Sequence, residues 1–149
     1  MKITLFACLV LFVASIFARA GTTEQETAFV AKYKTAFESK DTGTLASFLY
    51  TTGADPQVLE FYKMMQSSSA GGKISKIEVV GLTPEDVKKT TSPMDSPTGE
   101  KLCLTLKPTK KLVLTTETKD ENGSSTGTTT NFIAEKDGKF VIPVPGPCK

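Results

Sequence analysis

Few residues in this chain of 149 could do chemistry, and their types exclude several common reactions. The sequence contains no histidine, so it has no imidazole to serve as a general base, a triad member or a metal ligand. Ser67–Ser69 offer three hydroxyls, but no base accompanies them, so nucleophilic catalysis is not supported. We predict neither a metal nor a cofactor.

Acid–base chemistry would require a carboxylate acting together with a tyrosine. Glu78 and Glu135 lie in predicted strands, which could aim one of them inward. A carboxyl group in an apolar site can keep its proton and work beside a tyrosine hydroxyl. Both glutamates are more simply explained as solvent-facing residues, so we predict no catalytic residue and lean towards a protein that is not an enzyme.

The cysteines suggest one disulfide. Cys8 lies near the N-terminus, which leaves Cys103 and Cys148 in the rest of the chain. These two can pair in an oxidising compartment, closing a loop of about 45 residues, worth roughly 4 kcal/mol in chain entropy. The alternative is a buried thiol at Cys103 and a loose one at Cys148. No C-x-x-C spacing is present, so a zinc site is not indicated.

The first 20 residues have the pattern of a secretory signal peptide. Lys2 precedes an apolar run over 3–17, and Ala18-Arg19-Ala20 matches an A-x-A cleavage site. The run is shorter than the roughly 20 apolar residues of a membrane-spanning helix. We expect cleavage after Ala20, export to the periplasm or the cell exterior, no membrane attachment afterwards, and a single domain over residues 21–149.

The charge of the mature chain argues against a nucleic-acid partner. Two of the 18 basic residues, Lys2 and Arg19, belong to the predicted signal peptide, so 16 basic residues face 16 acidic ones in the remainder. That remainder contains no arginine. Domains that bind nucleic acids usually carry a basic excess and use arginine on the bases.

Three helices are predicted in the first half of the mature chain. Thr23 opens a capping box, and Asp41 and Asp55 are predicted N-caps, with Pro56 following as the first helical residue. The second helix is expected to end at 51–53. The predicted inward residues are Phe29, Tyr33, Ala36 and Phe37, then Leu45, Phe48 and Leu49, then Val58, Phe61, Tyr62 and Met65.

The second half changes to the alternating pattern of strands. Such runs cover 77–82, 102–106, 112–114, 130–135 and 140–142. Asn122-Gly123 and Asp137-Gly138 are turn signals. Residues 83–100 are predicted to be a long loop, residues 124–130 a turn leading into an edge strand, and the C-terminal prolines should keep the tail out of the sheet centre.

This order predicts an α+β domain, with three N-terminal helices packed on a curved antiparallel sheet of about five strands. Residues 29–50, FVAKYKTAFESKDTGTLASFLY, resemble the opening of the nuclear transport factor two-like superfamily. Its members begin with a helix that carries the motif Y-x-x-A-h, where h is a hydrophobic residue. A short gap and an Asp follow, and then a second helix with the motif L-x-x-h-h. The matching positions here are Tyr33, Ala36, Phe37, Asp41, Leu45, Phe48 and Leu49.

The resemblance implies the cone-like fold shared with ketosteroid isomerases and polyketide cyclases. Two features depart from the family. Only residues 51–54 separate the second and third helices, which leaves no room for a hairpin that many members have there. The chain also lacks the histidine that the family's enzymes often use, and Asp41 and Asp55 are explained as helix caps.

A cone of this kind could hold an apolar pocket with tyrosine hydroxyls as its polar contacts. The candidate pocket residues are Tyr33, Phe37, Tyr50, Phe61, Tyr62, Met65, Leu104, Leu114 and Phe132. A packed core is the competing explanation for them. We predict binding of a small apolar molecule or a scaffold role. The alternatives are an isomerase- or cyclase-type enzyme using a carboxylate and a tyrosine, and an interaction module that forms a homodimer through its sheet.

Overall fold

The computed structural model of the protein describes residues 23–96, 98–120 and 123–149. The helices in these ranges are α1 Thr23–Glu38, α2 Thr42–Ser47, α3 Pro56–Ser69 and α4 Pro84–Thr91. The strands are β1 Leu49–Tyr50, β2 Lys73–Gly81, β3 Met94–Asp95, β4 Lys101–Leu104, β5 Lys110–Asp120, β6 Gly123–Lys136, β7 Lys139–Pro143 and β8 Pro145–Pro147. None of these helices is long and apolar enough to span a membrane. The predicted signal peptide over residues 1–20 and Asn122 of one predicted turn lie outside the described residues.

The main sheet has five strands in the order β1-β7-β6-β5-β2. Its neighbours are antiparallel except for β1, which runs parallel to β7. Three helices precede most of this sheet along the chain, and the predicted α+β class is confirmed. The sheet is mixed rather than fully antiparallel because its edge strand β1 comes from the helical half of the chain.

The second helix ends earlier than predicted, and the short strand β1 follows it. The sequence pattern places Leu49 on a helix that ends at 51–53, but α2 ends at Ser47. Leu49 instead pairs with Ile142 of β7, and the Ile142 N–H donates to the Phe48 carbonyl at 2.7 Å. Because the partner strand lies far along the chain, the sequence around Leu49 does not indicate this pairing.

Three short strands form a second sheet in the order β3-β4-β8. Residues 102–104 of the predicted run 102–106 therefore belong to this small sheet and not to the main one, and the strand ends before residue 105. The proline-rich tail pairs at its edge, with Leu102 opposite Pro147 and Leu104 opposite Pro145. This edge position agrees with the prediction that prolines keep the tail out of a sheet centre.

A disulfide fastens this tail. Cys103 and Cys148 are bonded, with their Cα atoms 4.9 Å apart. Beside the bridge, the Cys148 N–H donates to the Lys101 carbonyl at 3.2 Å. The C-terminus is thereby tied to the middle strand of the small sheet.

Helix α4 lies inside the segment 83–100, so the prediction of a long loop there is wrong. Thr83 is the N-cap and forms a capping box with Asp86, while Pro84 occupies the first turn. The Asp86 carboxylate also accepts from the Lys111 ammonium of β5 at 2.6 Å. The Ser, Thr and Pro content of the segment concealed a helix that begins with the same cap-then-proline signal as α3.

The core lies between α1, α2 and the inner face of the main sheet. Its most fully buried residues are Leu45, Leu112, Leu114, Ile133, Pro143 and Val144. The turn at Asp137-Gly138 connects β6 to β7 with positive φ at both residues, 51° and 71°, as a two-residue type I′ hairpin requires. Strand β6 is longer than predicted, since residues 124–130 pair with β5.

Candidate functional site

A cavity of about 240 Å³ lies between α3 and the inner face of β5 and β6. Its lining consists of Tyr33 and Phe37 from α1, Phe61, Tyr62, Met65, Gln66 and Ser69 from α3, and Leu114, Thr129, Thr130 and Asn131 from the sheet. An apolar cavity of about 150 Å³ is sufficient to hold benzene. The cavity therefore has room for a single ring with a substituent.

The cavity exists because α3 is only lightly buried. The Asp55 carboxylate starts the helix by accepting the N–H groups of Gln57 at 2.9 Å and Val58 at 3.0 Å. The helix packs against α2 and β8, and none of its 14 residues is fully buried. Phe61 and Met65 are 51% and 49% exposed, so they border the opening of the cavity instead of filling a core.

The sheet gives the cavity a polar floor. Buried Leu114 of β5 pairs with Thr129 of β6, and the neighbouring inward pair is Leu112 with Asn131. Ile133 continues the same face of β6 and is fully buried. Asn131 and Thr129 therefore occupy positions where a continuous core would have apolar residues.

Two tyrosines add hydroxyl groups that keep their protons at neutral pH. Burial raises the pKa of Tyr33 to about 12, an effect that the nearby Gln66 amide only partly opposes. Burial also raises the pKa of Tyr62. A protonated tyrosine hydroxyl can both donate and accept a hydrogen bond, so both residues can contact a neutral polar group.

The side-chain amide of Gln66 is buried without satisfied hydrogen bonds. Among the described residues, neither its Oε1 nor its Nε2 has a partner within hydrogen-bonding geometry, although the Tyr33 hydroxyl is near enough to be influenced by it. Most buried polar atoms in native proteins are hydrogen-bonded, because an unpaired one costs free energy. Gln66 is therefore the polar group of this site that calls for an explanation.

A second cavity of about 230 Å³ adjoins the first. Its lining residues are Tyr62, Lys89, Thr90, Met94, Leu104, Thr130, Asn131, Phe132, Ile142 and Pro143. Tyr62, Thr130 and Asn131 line both cavities. The linings of the two cavities are therefore continuous through these three residues.

The structure brings six of the nine candidate pocket residues together in the first cavity: Tyr33, Phe37, Phe61, Tyr62, Met65 and Leu114. Leu104 and Phe132 line the second cavity instead. Tyr50 reaches neither cavity, because its segment is the edge strand β1, where it lies half-buried opposite Pro143.

The two glutamates considered for acid–base chemistry line neither cavity. Glu78 pairs with Lys76 at 2.8 Å, and 41% of its side chain is exposed. Glu135 lies opposite Phe140 in the hairpin of β6 and β7. In the part of the chain that the structure describes, no group of three or more Cys, Asp or Glu side chains is placed to hold a metal ion.

A larger, open groove of about 470 Å³ runs between α1 and β7. Phe29, Phe48 and Phe140 line it, and the Phe29 ring packs against the other two, with centroids 5.2 Å from Phe48 and 5.7 Å from Phe140. The groove is thus the outer surface of the aromatic core, and none of the nine candidate residues lines it.

The polar members of the cavity are the residues that sequence reasoning missed. Gln66 follows Tyr62 at a spacing of four, so it continues the inward stripe of α3. Asn131 alternates with Ile133 and so shares its face. A polar residue at an inward position of an otherwise apolar pattern was the available signal for both.

Comparisons with known proteins do not show a family for this chain. No protein-family model matches the sequence, and a search of curated proteins finds no match. Two crystal structures of the helical cell shape determining protein Pgp2 from Campylobacter jejuni, one of a point mutant, share structural similarity. The chain is 17% and 15% identical to them, with TM-scores of 0.43 and 0.38, and 79% of it is covered. It spans only 38% of the length of those chains.

Proposed function

We propose that the protein binds a small apolar molecule in the cavity beneath α3, within a domain of the nuclear transport factor two-like kind. The observation that carries the proposal is the cavity itself, about 240 Å³ in volume and lined by six aromatic or aliphatic side chains. Ligand sites are typically concave and mostly apolar, with a few polar groups that orient the ligand. The resemblance in residues 29–50 and the order of helices before sheet support the cone-like fold.

The light burial of α3 supports a binding role over a packed core. Phe61 and Met65 are half exposed beside the opening, so a ligand could enter by a small displacement of their side chains. Burial of their apolar surface by the ligand would contribute to affinity. A filled core would have placed these residues out of contact with water.

Indole provides a direct test, because the chain contains no tryptophan and indole fluorescence would come from the probe alone. We expect saturable binding with a blue shift of the emission. Thr129→Phe should abolish binding or weaken it at least about tenfold, since the new ring would fill the cavity from an exposed strand position.

The matched control is Thr128→Phe, which adds the same ring at the neighbouring exposed position, outside the cavity lining. It should bind indole like the unmodified protein. Equal loss in both variants, or no saturable binding to the unmodified protein, would contradict the proposal.

The enzyme alternative draws no support from the lining of the two cavities, where the described residues include tyrosines but no carboxylate. The sheet-dimer alternative also lacks a specific observation. The large exposed apolar residues of the described chain are Phe61, Met64, Met65, Val87 and Met94, which lie on α3, α4 and β3.

We also propose that the protein is exported and cleaved after Ala20. The N-terminal pattern supports this, and so does the disulfide, since such bonds persist mainly in oxidising compartments.

Mass spectrometry of the protein from an exporting host should give the mass of residues 21–149 with two hydrogens fewer. Ala20→Glu should block cleavage at the small-residue site. Retention of residues 1–20 in the unmodified protein would refute the proposal.

A further inference from the structure

The unpaired side-chain amide of Gln66 indicates which polar groups a ligand of the proposed site would carry. Gln66 lines the cavity, yet both polar atoms of its side chain are buried without a partner in the described residues. An amide has an acceptor oxygen and a donor nitrogen. The Gln66 amide can thus offer one hydrogen-bond acceptor and one donor to a ligand, beside the Tyr33 hydroxyl whose pKa it lowers.

The amide can reach a ligand with little rearrangement. The terminal torsion of glutamine is broad, so the amide plane rotates at low cost. The Tyr33 hydroxyl is close by, and Asn131 supplies a second amide on the opposite, sheet side of the cavity. The polar groups are therefore distributed on two walls of one apolar space.

The same lining disfavours a charged ligand. None of the described residues that line this cavity is Asp, Glu, Lys or Arg. An ion that leaves water for an apolar site without an opposite charge loses its hydration uncompensated. A neutral head group that both donates and accepts loses less, and Gln66 can return both of its hydrogen bonds.

We propose that the cavity recognises a neutral molecule with an apolar body and a carboxamide-type head group, which pairs with the side-chain amide of Gln66. This inference rests on the proposed function. It adds the chemical class of the ligand and the residue that selects it.

The test compares benzamide, toluene and benzoate, which share one ring and differ in the head group. Binding to the folded protein is followed by NMR. We expect Gln66→Met, which keeps the length of the side chain and removes its amide, to weaken benzamide about fivefold to tenfold and to leave toluene unchanged or tighter. Benzoate should not saturate the site at concentrations where benzamide does.

Two further measurements keep the result independent of the variant's folding. The side-chain NH₂ signals of Gln66 in the unmodified protein should shift further downfield with benzamide than with toluene, whose ring contributes only a ring-current shift. Gln57→Met makes the same replacement at an exposed position of α3 and should leave both affinities unchanged.

The outcomes separate the two proposals. Binding of toluene together with benzamide affinity that is insensitive to Gln66→Met would overturn the inference and leave the binding function standing. Gln66 NH₂ signals that shift no further downfield with benzamide than with toluene would do the same. Tighter binding of benzoate than of benzamide would also overturn it. No saturable binding of any of the three probes would overturn the binding function itself.

Discussion

At the scale of single residues, the most informative group is the hydroxyl of Tyr33, because its titration reports on the burial beneath α3. Burial raises the pKa of Tyr33 from 10.0 to about 12. The folded protein therefore holds this proton in an interval where the unfolded chain has lost it. The free energy of unfolding should fall as pH rises from about 10 to 12, by about 3 kcal/mol for the full shift.

Tyr33→Phe should remove most of that decline. It should change the free energy of unfolding below pH 9 by no more than about 1 kcal/mol, because the nearby Gln66 amide forms no hydrogen bond of normal geometry with the described residues. Urea unfolding at several pH values measures both effects. Part of the decline should persist in the variant, because burial also raises the pKa of Tyr62. Identical pH profiles for the two proteins would show that Tyr33 is not buried as described.

Residue types predicted the apolar part of the site better than its polar part. Tyr33, Phe37, Tyr62 and Leu114 followed from periodicity alone, because burial and helical spacing coincide in them. Gln66 was missed for a physical reason: a polar residue in an apolar stripe is ordinarily assigned to the solvent side. Its burial depends on how far α3 stands from the sheet, which is a tertiary property.

At the scale of elements, α4 is held to the sheet by a carboxylate that also caps it. Asp86 is 8% exposed, completes the capping box with Thr83 and pairs with Lys111 at 2.6 Å. The Lys111 ammonium and the Thr83 groups lower the pKa of Asp86 from 3.8 to about 2. The stabilisation is therefore complete above about pH 4 and is lost as pH falls towards 2.

Asp86→Asn should accordingly lower the free energy of unfolding at pH 7 and make little difference near pH 2. Faster amide exchange across α4 at neutral pH would locate the loss in this helix. The control variant Asp95→Asn removes a solvent-exposed ion pair with Lys101. It should change the free energy of unfolding by less than about 1 kcal/mol. Equal effects of Asp86→Asn at both pH values would refute the account.

Elements with local signals were predicted, and elements that depend on distant partners were not. The caps at Asp41 and Asp55 and the turn at Asp137-Gly138 act within a few residues, so their sequences suffice. Strand β1 has only two residues and exists through pairing with β7. Helix α4 had a local signal in Thr83-Pro84, which its polar composition obscured.

At the scale of the whole molecule, the disulfide connects the C-terminus to the candidate site. The bridge from Cys103 to Cys148 holds β8 beside β4. The Pro145 carbonyl in β8 accepts the N–H of Asp55, the N-cap of α3, at 2.9 Å. Strand β8 also passes very close to Gly53, because a Cβ added at Gly146 would overlap the Gly53 carbonyl. Contacts thus run without interruption from the disulfide through β8 to Asp55 at the start of α3.

Opening the bridge should therefore affect both stability and binding. The double variant Cys103→Ser/Cys148→Ser should lose about 2–4 kcal/mol of unfolding free energy, because the sequence separation of 45 residues leaves a large loop unconstrained in the unfolded chain. Indole affinity should also fall in the variant under conditions where it remains folded, since a loosened β8 no longer positions the Asp55 end of α3. Dithiothreitol should reproduce both losses in the unmodified protein and change neither quantity in the variant. Lower stability with unchanged affinity would show that the tail stabilises the domain without shaping the cavity.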